Sequence, residues 1–222
     1  GNCELPATTK QTASESGIFY MYSRIMELPE GEKVTLVPTG PLTNIALLLR
    51  TFPQVQARIE KIVLMGGSSS GGNVTPAAEF NIWADPEAAQ MVFAAGLSTV
   101  MCGLDVTLKS GLDNGQIEEL CRSRRKVEQA CGQMLAFYLD TTRHEGEENM
   151  VAIHDAVTIL YLTNPELFSG RNVTVSVDCS WGEERGRTIC TADGQEQKVY
   201  LLDQVNLPEF QRVLLAKLRS LS

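Results

Sequence analysis

Between residues 33 and 105 the chain alternates β-branched apolar runs with helix-forming segments, and no other feature restricts its fold as much. VTLVPTG (34–40) is a short apolar run closed by Pro-Thr-Gly, the pattern of a buried strand. PLTNIALLLRTFP follows, with Pro41 suited to a first helical turn and a Leu/Ile stripe at helical spacing. IEKIVLMGG (59–67) and LSTVMCGLD (97–105) predict a second and a third strand. Between them, DPEAAQMVFAAG (85–96) carries helix start and stop signals: Asp85 as N-cap, Pro86 at the first position, Glu87 in the first turn, Gly96 as terminal cap. Strand, helix, strand with short links implies right-handed crossovers and a parallel sheet with helices on both faces. Ligands of such sheets sit beyond the carboxyl ends of the strands. Here those ends read PTG, MGGSSSGGN and GLDVT.

The rest of the chain extends this α/β plan. Residues 114–143 read as mainly helical, and HDAVTILYLTNPELF starts another helix. VTVSVD, GRTICTAD and KVYLLD predict a small antiparallel patch near the C-terminus, before a final amphipathic helix, LPEFQRVLLAKLRSL. With 222 residues, 43% hydrophobic and 21% charged, the expectation is one globular domain over 1–222. The net charge of −8 argues against a nucleic-acid partner, since counterion release needs clustered Lys and Arg. The one basic run, RSRRK at 122–126, reads as a solvated helix face. No apolar stretch reaches the roughly 20 residues that cross a bilayer, and no secretion signal is visible. The six cysteines are scattered without a C-x-x-C, so the expectation is a reducing cytoplasm, no disulfide framework and no zinc site. The NVT sequons at 73 and 172 are then not glycosylation sites.

Three groups of residues could carry chemistry. After the first strand, Thr39 lies at the ligand-binding edge of the sheet, although Thr39-Gly40-Pro41 is equally a simple strand-to-helix turn. After the second, MGGSSSGGNVTPAAEFN lacks G-K-[ST] and does not match G-x-G-x-x-G, which disfavours nucleotide-phosphate and dinucleotide sites. Its Asn73, Glu79 and Asn81, with no Arg or Lys nearby, suit an uncharged polyol: a carboxylate can accept two vicinal hydroxyl protons while amides bracket them. The plainer alternative is that the asparagines satisfy loop backbone and Glu79 caps a neighbouring element. His154-Asp155 opens an apolar helix, where an acid simply complements the helix dipole. Alternatively the pair supplies a metal-ligating carboxylate and a proton donor. Only His144 and His154 are available for acid–base work near neutral pH.

Taken together, VTLVPTGPLTNIALLL, KIVLMGG, GNVTPAAEFNIWADPEAA, CGLDVT and IHDAV resemble the inosine–uridine preferring nucleoside hydrolases, most closely bacterial ones of broad substrate range. The resemblance runs from about residue 30 to the C-terminus. It implies a mainly parallel, Rossmann-like sheet flanked by helices and cleavage of the N-ribosidic bond of ribonucleosides. It further implies a bound Ca²⁺, with Thr39 giving a ligating backbone carbonyl and Asp155 a ligating carboxylate. Asn73, Glu79 and Asn81 would grip the ribose hydroxyls with Met65 packed nearby, and His154 would face the leaving base. As the C–N bond lengthens, positive charge grows on the ribosyl ring, an oxocarbenium-like transition state that such groups stabilise. Base preference would lie in the helical region around Tyr138, Arg143 and His144. Family members are commonly dimers or tetramers, so a homo-oligomer is expected.

The family also carries D-x-D-P-G-x-D-D at the end of its first strand, and this sequence contains no such motif. Two oxygen-donating residues fall short of the roughly six to eight oxygens that Ca²⁺ takes. The expectation is therefore an N-terminally truncated hydrolase domain with an unpaired strand edge, inactive on its own. The alternative from another class is a non-catalytic remnant that binds ribose or nucleosides, or forms oligomers.

Overall fold

The computed structural model describes residues 8–12, 14–142, 150–192 and 199–221. Its main sheet joins β1 (Val34–Leu36), β2 (Ile59–Met65), β3 (Thr99–Cys102), β6 (Phe168–Val177), β7 (Thr188–Thr191) and β8 (Val199–Val205) in the order β1-β2-β3-β8-β6-β7. The pairs β1–β2, β2–β3 and β3–β8 are parallel. Helices α2 (Thr43–Thr51) and α4 (Pro86–Ala94) make the crossovers, and α1 (Gly17–Met26) packs against α2.

Alternation along the strands explains why both faces are covered. Ile62 and Leu64 of β2, Met101 of β3 and Leu201 of β8 enter one core with Leu48, Leu49, Ala89 and Val92 from α2 and α4. Val63, Val100, Cys102 and Leu202, the residues between, enter a second core. There they meet Val157 and Leu160 of α8 (Ala156–Thr163) and Phe210 of α9 (Leu207–Ser220). A period of two with both phases apolar is what a doubly covered parallel strand requires. A third core, built on Leu112, Ile117, Leu120 and Val151, holds α6 (Asn114–Arg122) and α7 (Lys126–Thr142) beside the short pair β4 (Gly111–Asp113) and β5 (Met150–Ala152).

The signals of the second crossover helix behave as read, whereas Pro41 lies just before Leu42, the N-cap of α2, and not in its first turn. Asp85 Oδ1 accepts from the Ala88 N–H at 3.0 Å, Pro86 opens α4, and Gly96 has φ +72°. Three details are refined. The C-terminal antiparallel patch is present, β6 pairing antiparallel with both β7 and β8, and its placement is what the structure adds: β8 runs parallel to β3, so the patch extends the main sheet. The third strand ends at Cys102, because Leu104 N–H donates to Gly67 O at 2.9 Å and starts a helical turn, α5 (Leu104–Thr107). The basic run marks the corner between α6 and α7 rather than one helix face, with Arg125 donating to the Arg219 carbonyl of α9 at 2.6 Å. No described helix is long and apolar enough to cross a membrane.

Two measurements test this packing. Leu64→Ala, at a fully buried position between α-helical layers, should lower stability by about 2–5 kcal/mol, seen as a reduced denaturant midpoint with unchanged slope. Burial pushes the Cys102 thiol up to about 12. Cys102 should therefore stay unalkylated by iodoacetamide at pH 8 in the native protein and react once it is unfolded.

Candidate active site

The carboxyl end of β2 continues into Gly66 and Gly67, and the second has a reason to be glycine. At φ +77° it lies in the left-handed region, and a Cβ there would sit 2.5 Å from Met101 Cε. This geometry aims the Gly67 N–H at Glu79 Oε2, 2.9 Å away. The Glu79 carboxylate also accepts from Asn81 N–H at 2.9 Å and Ile82 N–H at 3.2 Å, capping the short helix α3 (Phe80–Ala84). Only 3% of Glu79 is exposed. Each charge-assisted bond contributes about 1.5–3 kcal/mol, while taking a carboxylate out of water costs several kcal/mol. Burial wins: it raises the carboxyl above its ordinary 4.5 against the three amides, and the charge of Asp155 raises it further.

Asn81 is buried beside it and ties two strand ends together. Its Nδ2 donates to Met65 O at 3.1 Å and approaches Thr39 O at 3.5 Å, with Met65 Sδ 3.4 Å away. Met65 is itself buried, while Thr39 is exposed at the end of the first strand segment. Asn73 lies at the surface, where it serves the backbone, its Oδ1 accepting from Phe80 N–H at 2.9 Å. The loop around it winds on the Ala78 carbonyl, which receives the N–H groups of Asn73, Val74 and Thr75. A Cβ on Gly72 would fall 2.1 Å from that same carbonyl oxygen, so the loop closes only with glycine there.

His154 and Asp155 enter from the turn between β5 and α8. His154 Nδ1 lies 2.9 Å from Thr107 Oγ1, at the end of α5. Burial holds the imidazole below its ordinary 6.5, opposed by the neighbouring Asp155 charge. Burial likewise raises the Asp155 carboxyl, opposed by His154. The charge of Asp155 adds a small upward push on Glu79, which places the two carboxyls within electrostatic reach of each other.

The structure thus brings Thr39, Met65, Glu79 and Asn81 together through hydrogen bonds and links Asp155 to them by charge. The plainer reading of the asparagines and of Glu79 as backbone partners is also realised in full. Sequence reasoning missed Thr107, which orients His154. The only hint of it was the polar LDVT closing a strand at the sheet's ligand edge. Tyr138 is partly exposed on α7, while Arg143 and His144 lie outside the described residues. Among the described residues no group of three His, Cys, Asp or Glu side chains could hold a metal. Thr39 O and Asp155 therefore do not make a calcium shell by themselves. A cleft of about 660 Å³ opens between the 71–77 loop and the 182–187 turn, lined by Pro76, Trp83 and Arg185, and none of the predicted site residues line it.

Polar groups converge at the carboxyl edge of the parallel sheet, the edge at which ligands of α/β sheets bind, with a glycine loop bringing an amide to a buried carboxylate. The chain belongs to the inosine-uridine preferring nucleoside hydrolase family, whose sequence profile matches residues 1–212. It is 46% identical over 160 residues to the pyrimidine-specific ribonucleoside hydrolase RihA of Photobacterium profundum, covering 71% of this chain and 51% of that protein. The RihA of Shewanella sp. strain ANA-3 is 40% identical over 186 residues, 83% of this chain and 58% of that one. The chain thus spans about half the length of these bacterial relatives. Among solved structures, a purine-preferring ribonucleoside hydrolase from Gardnerella vaginalis superposes with a TM-score of 0.89 at 29% identity, covering 99% of this chain and 70% of that one. The Bacillus anthracis inosine-uridine preferring nucleoside hydrolase gives 0.81 at 25% identity, covering 96% and 68%.

Because the folded-state pKa of Glu79 is raised, its favourable contribution to stability is complete below 4.5 and is lost as pH rises through the folded value. Glu79→Gln lacks that titration. The melting temperature of the native protein minus that of the variant should therefore fall as pH is raised from 4 to 7; a difference that rises with pH contradicts the burial argument.

Proposed function

We propose that this chain supplies the ribose-gripping and base-facing groups of a ribonucleoside N-ribosyl hydrolase acting on pyrimidine ribonucleosides. The observation that carries this is the Glu79 carboxyl, buried and held in one orientation by three backbone amides, beside the Asn81 amide at the ends of two parallel strands. A neutral polyol is the ligand whose hydroxyl protons such a carboxylate accepts without a counter-charge. The pyrimidine preference is taken from the names of the relatives at 40–46% identity.

In this reading Glu79 and Asn81 orient the ribose and stabilise positive charge growing on its ring. His154 faces the base. In the tautomer whose Nδ1 accepts from the Thr107 hydroxyl, 2.9 Å away, the ring hydrogen is on Nε2 and the neutral imidazole can donate it in a hydrogen bond to the departing base. Asn73 acts by closing the loop that presents Glu79. Calcium would take the Thr39 carbonyl and the Asp155 carboxylate, and it needs further oxygen donors beyond the described residues. In the same reading the chain is one domain of a homo-oligomeric cytoplasmic enzyme, with a nucleoside as its small-molecule partner.

Calorimetry tests the ribose grip directly. Ribose should bind about tenfold or more tightly than 2-deoxyribose, because a missing hydroxyl leaves buried acceptors unpaired, and Asn81→Ala should remove the preference. Equal affinity for both sugars rules this reading out. Uridine hydrolysis with added calcium should be negligible for this chain alone, and robust turnover overturns the ligand shortfall. Ribose binding that is indifferent to calcium, with no turnover, favours a nucleoside-binding module instead.

A further inference from the structure

The loop that presents the Gly67 amide to Glu79 has local bonds between Ser68 and Ser70, but it is also held from a distance. Thr188, the first residue of β7, reaches it from 120 residues away in sequence. Its Oγ1 accepts from Ser68 N–H at 2.9 Å and donates to Ser68 O at 2.5 Å, so one hydroxyl satisfies both backbone groups of a single residue. Thr188 is 4% exposed and Ser68 is equally buried, so water cannot substitute for either bond. Its methyl would lie 3.1 Å from a Cβ placed on Gly67, so it also packs against the glycine itself.

On the other side of Ser68, the Asp105 carboxylate accepts from Ser69 N–H at 2.9 Å and from the Ser69 hydroxyl. Gly67 O accepts from Leu104 N–H at 2.9 Å. Gly67 is thus fixed through its own carbonyl, through both polar backbone groups of the next residue and through the residue after that. Of these restraints, only Thr188 comes from the antiparallel end of the sheet.

We propose that Thr188 is a positioning residue for the ribose site: through Ser68 it holds Gly67 at the one backbone orientation that lets its N–H reach Glu79, and so fixes the carboxylate for the sugar. The proposal rests on the reading of Glu79 as the ribose-gripping group. Thr188 contacts neither the sugar nor the base and acts only through the loop. Thr188→Val keeps the shape and removes both hydrogen bonds, whereas Thr188→Ser keeps the bonds and removes the methyl.

Two readouts are needed, both on the intact chain: amide hydrogen exchange at Gly67 and Ser68, and the dissociation constant for ribose by calorimetry. Thr188→Val should speed exchange at both amides and weaken ribose binding about tenfold, the loss of roughly one buried hydrogen bond. Thr188→Ser should restore both toward the native values, which general loosening of the sheet would not allow. Native exchange and affinity in Thr188→Val overturn the proposal, as does a Ser variant as impaired as the Val one. If the native chain binds no ribose, the ribose reading fails by itself. Exchange at Gly67 then still decides whether Thr188 fixes the amide.

Discussion

One buried carboxylate organises the ligand edge of this sheet. Glu79 takes amides from the end of β2 and from the first turn of α3, so a single side chain joins a strand terminus to the helix that follows it twelve residues later. The opposing energies are of similar size, and the raised pKa shows that desolvation prevails. Three fixed backbone donors oppose that shift and hold the group in one orientation. That is the condition of a preorganised acceptor, ready to take hydroxyl protons without first rearranging its surroundings.

The scaffold beneath is simpler. Strands with apolar residues in both phases force layers on both faces, and the two cores divide Ile62 and Leu64 from Val63 as that pattern demands. This was legible because it is local: strand runs and the Asp85–Pro86 start signal each act within a few residues. The antiparallel strands were legible individually but not in their placement. That β8 would lie beside β3 depends on a pairing about a hundred residues apart, for which no nearby residue carries a signal. The early end of β3 depends in the same way on the Gly67 carbonyl waiting across the sheet.

The site divides along the same line. Glu79, Asn81, His154 and Asp155 were visible as polar residues in motifs of recognisable order, and the resemblance to nucleoside hydrolases named their roles. What the sequence could not rank was their double duty, since the same oxygen atoms of Glu79 that would meet a sugar already serve the backbone. Thr107, Asp105 and Thr188 were not singled out for a common reason. Threonine and aspartate are ordinary in strands and turns, and only the assembled fold brings them to His154, Ser69 and Ser68.

The reach of Thr188 to Ser68 also has a consequence for biosynthesis. A contact spanning 120 residues closes a large loop, and contacts of that kind form late because chain entropy opposes them until most of the structure exists. On the ribosome, the first three strands and their crossover helices can collapse with their local partners while the hairpin carrying Thr188 is still unmade. The glycine–serine loop would then emerge as a loose connection and become a binding surface only when the last third of the chain arrives.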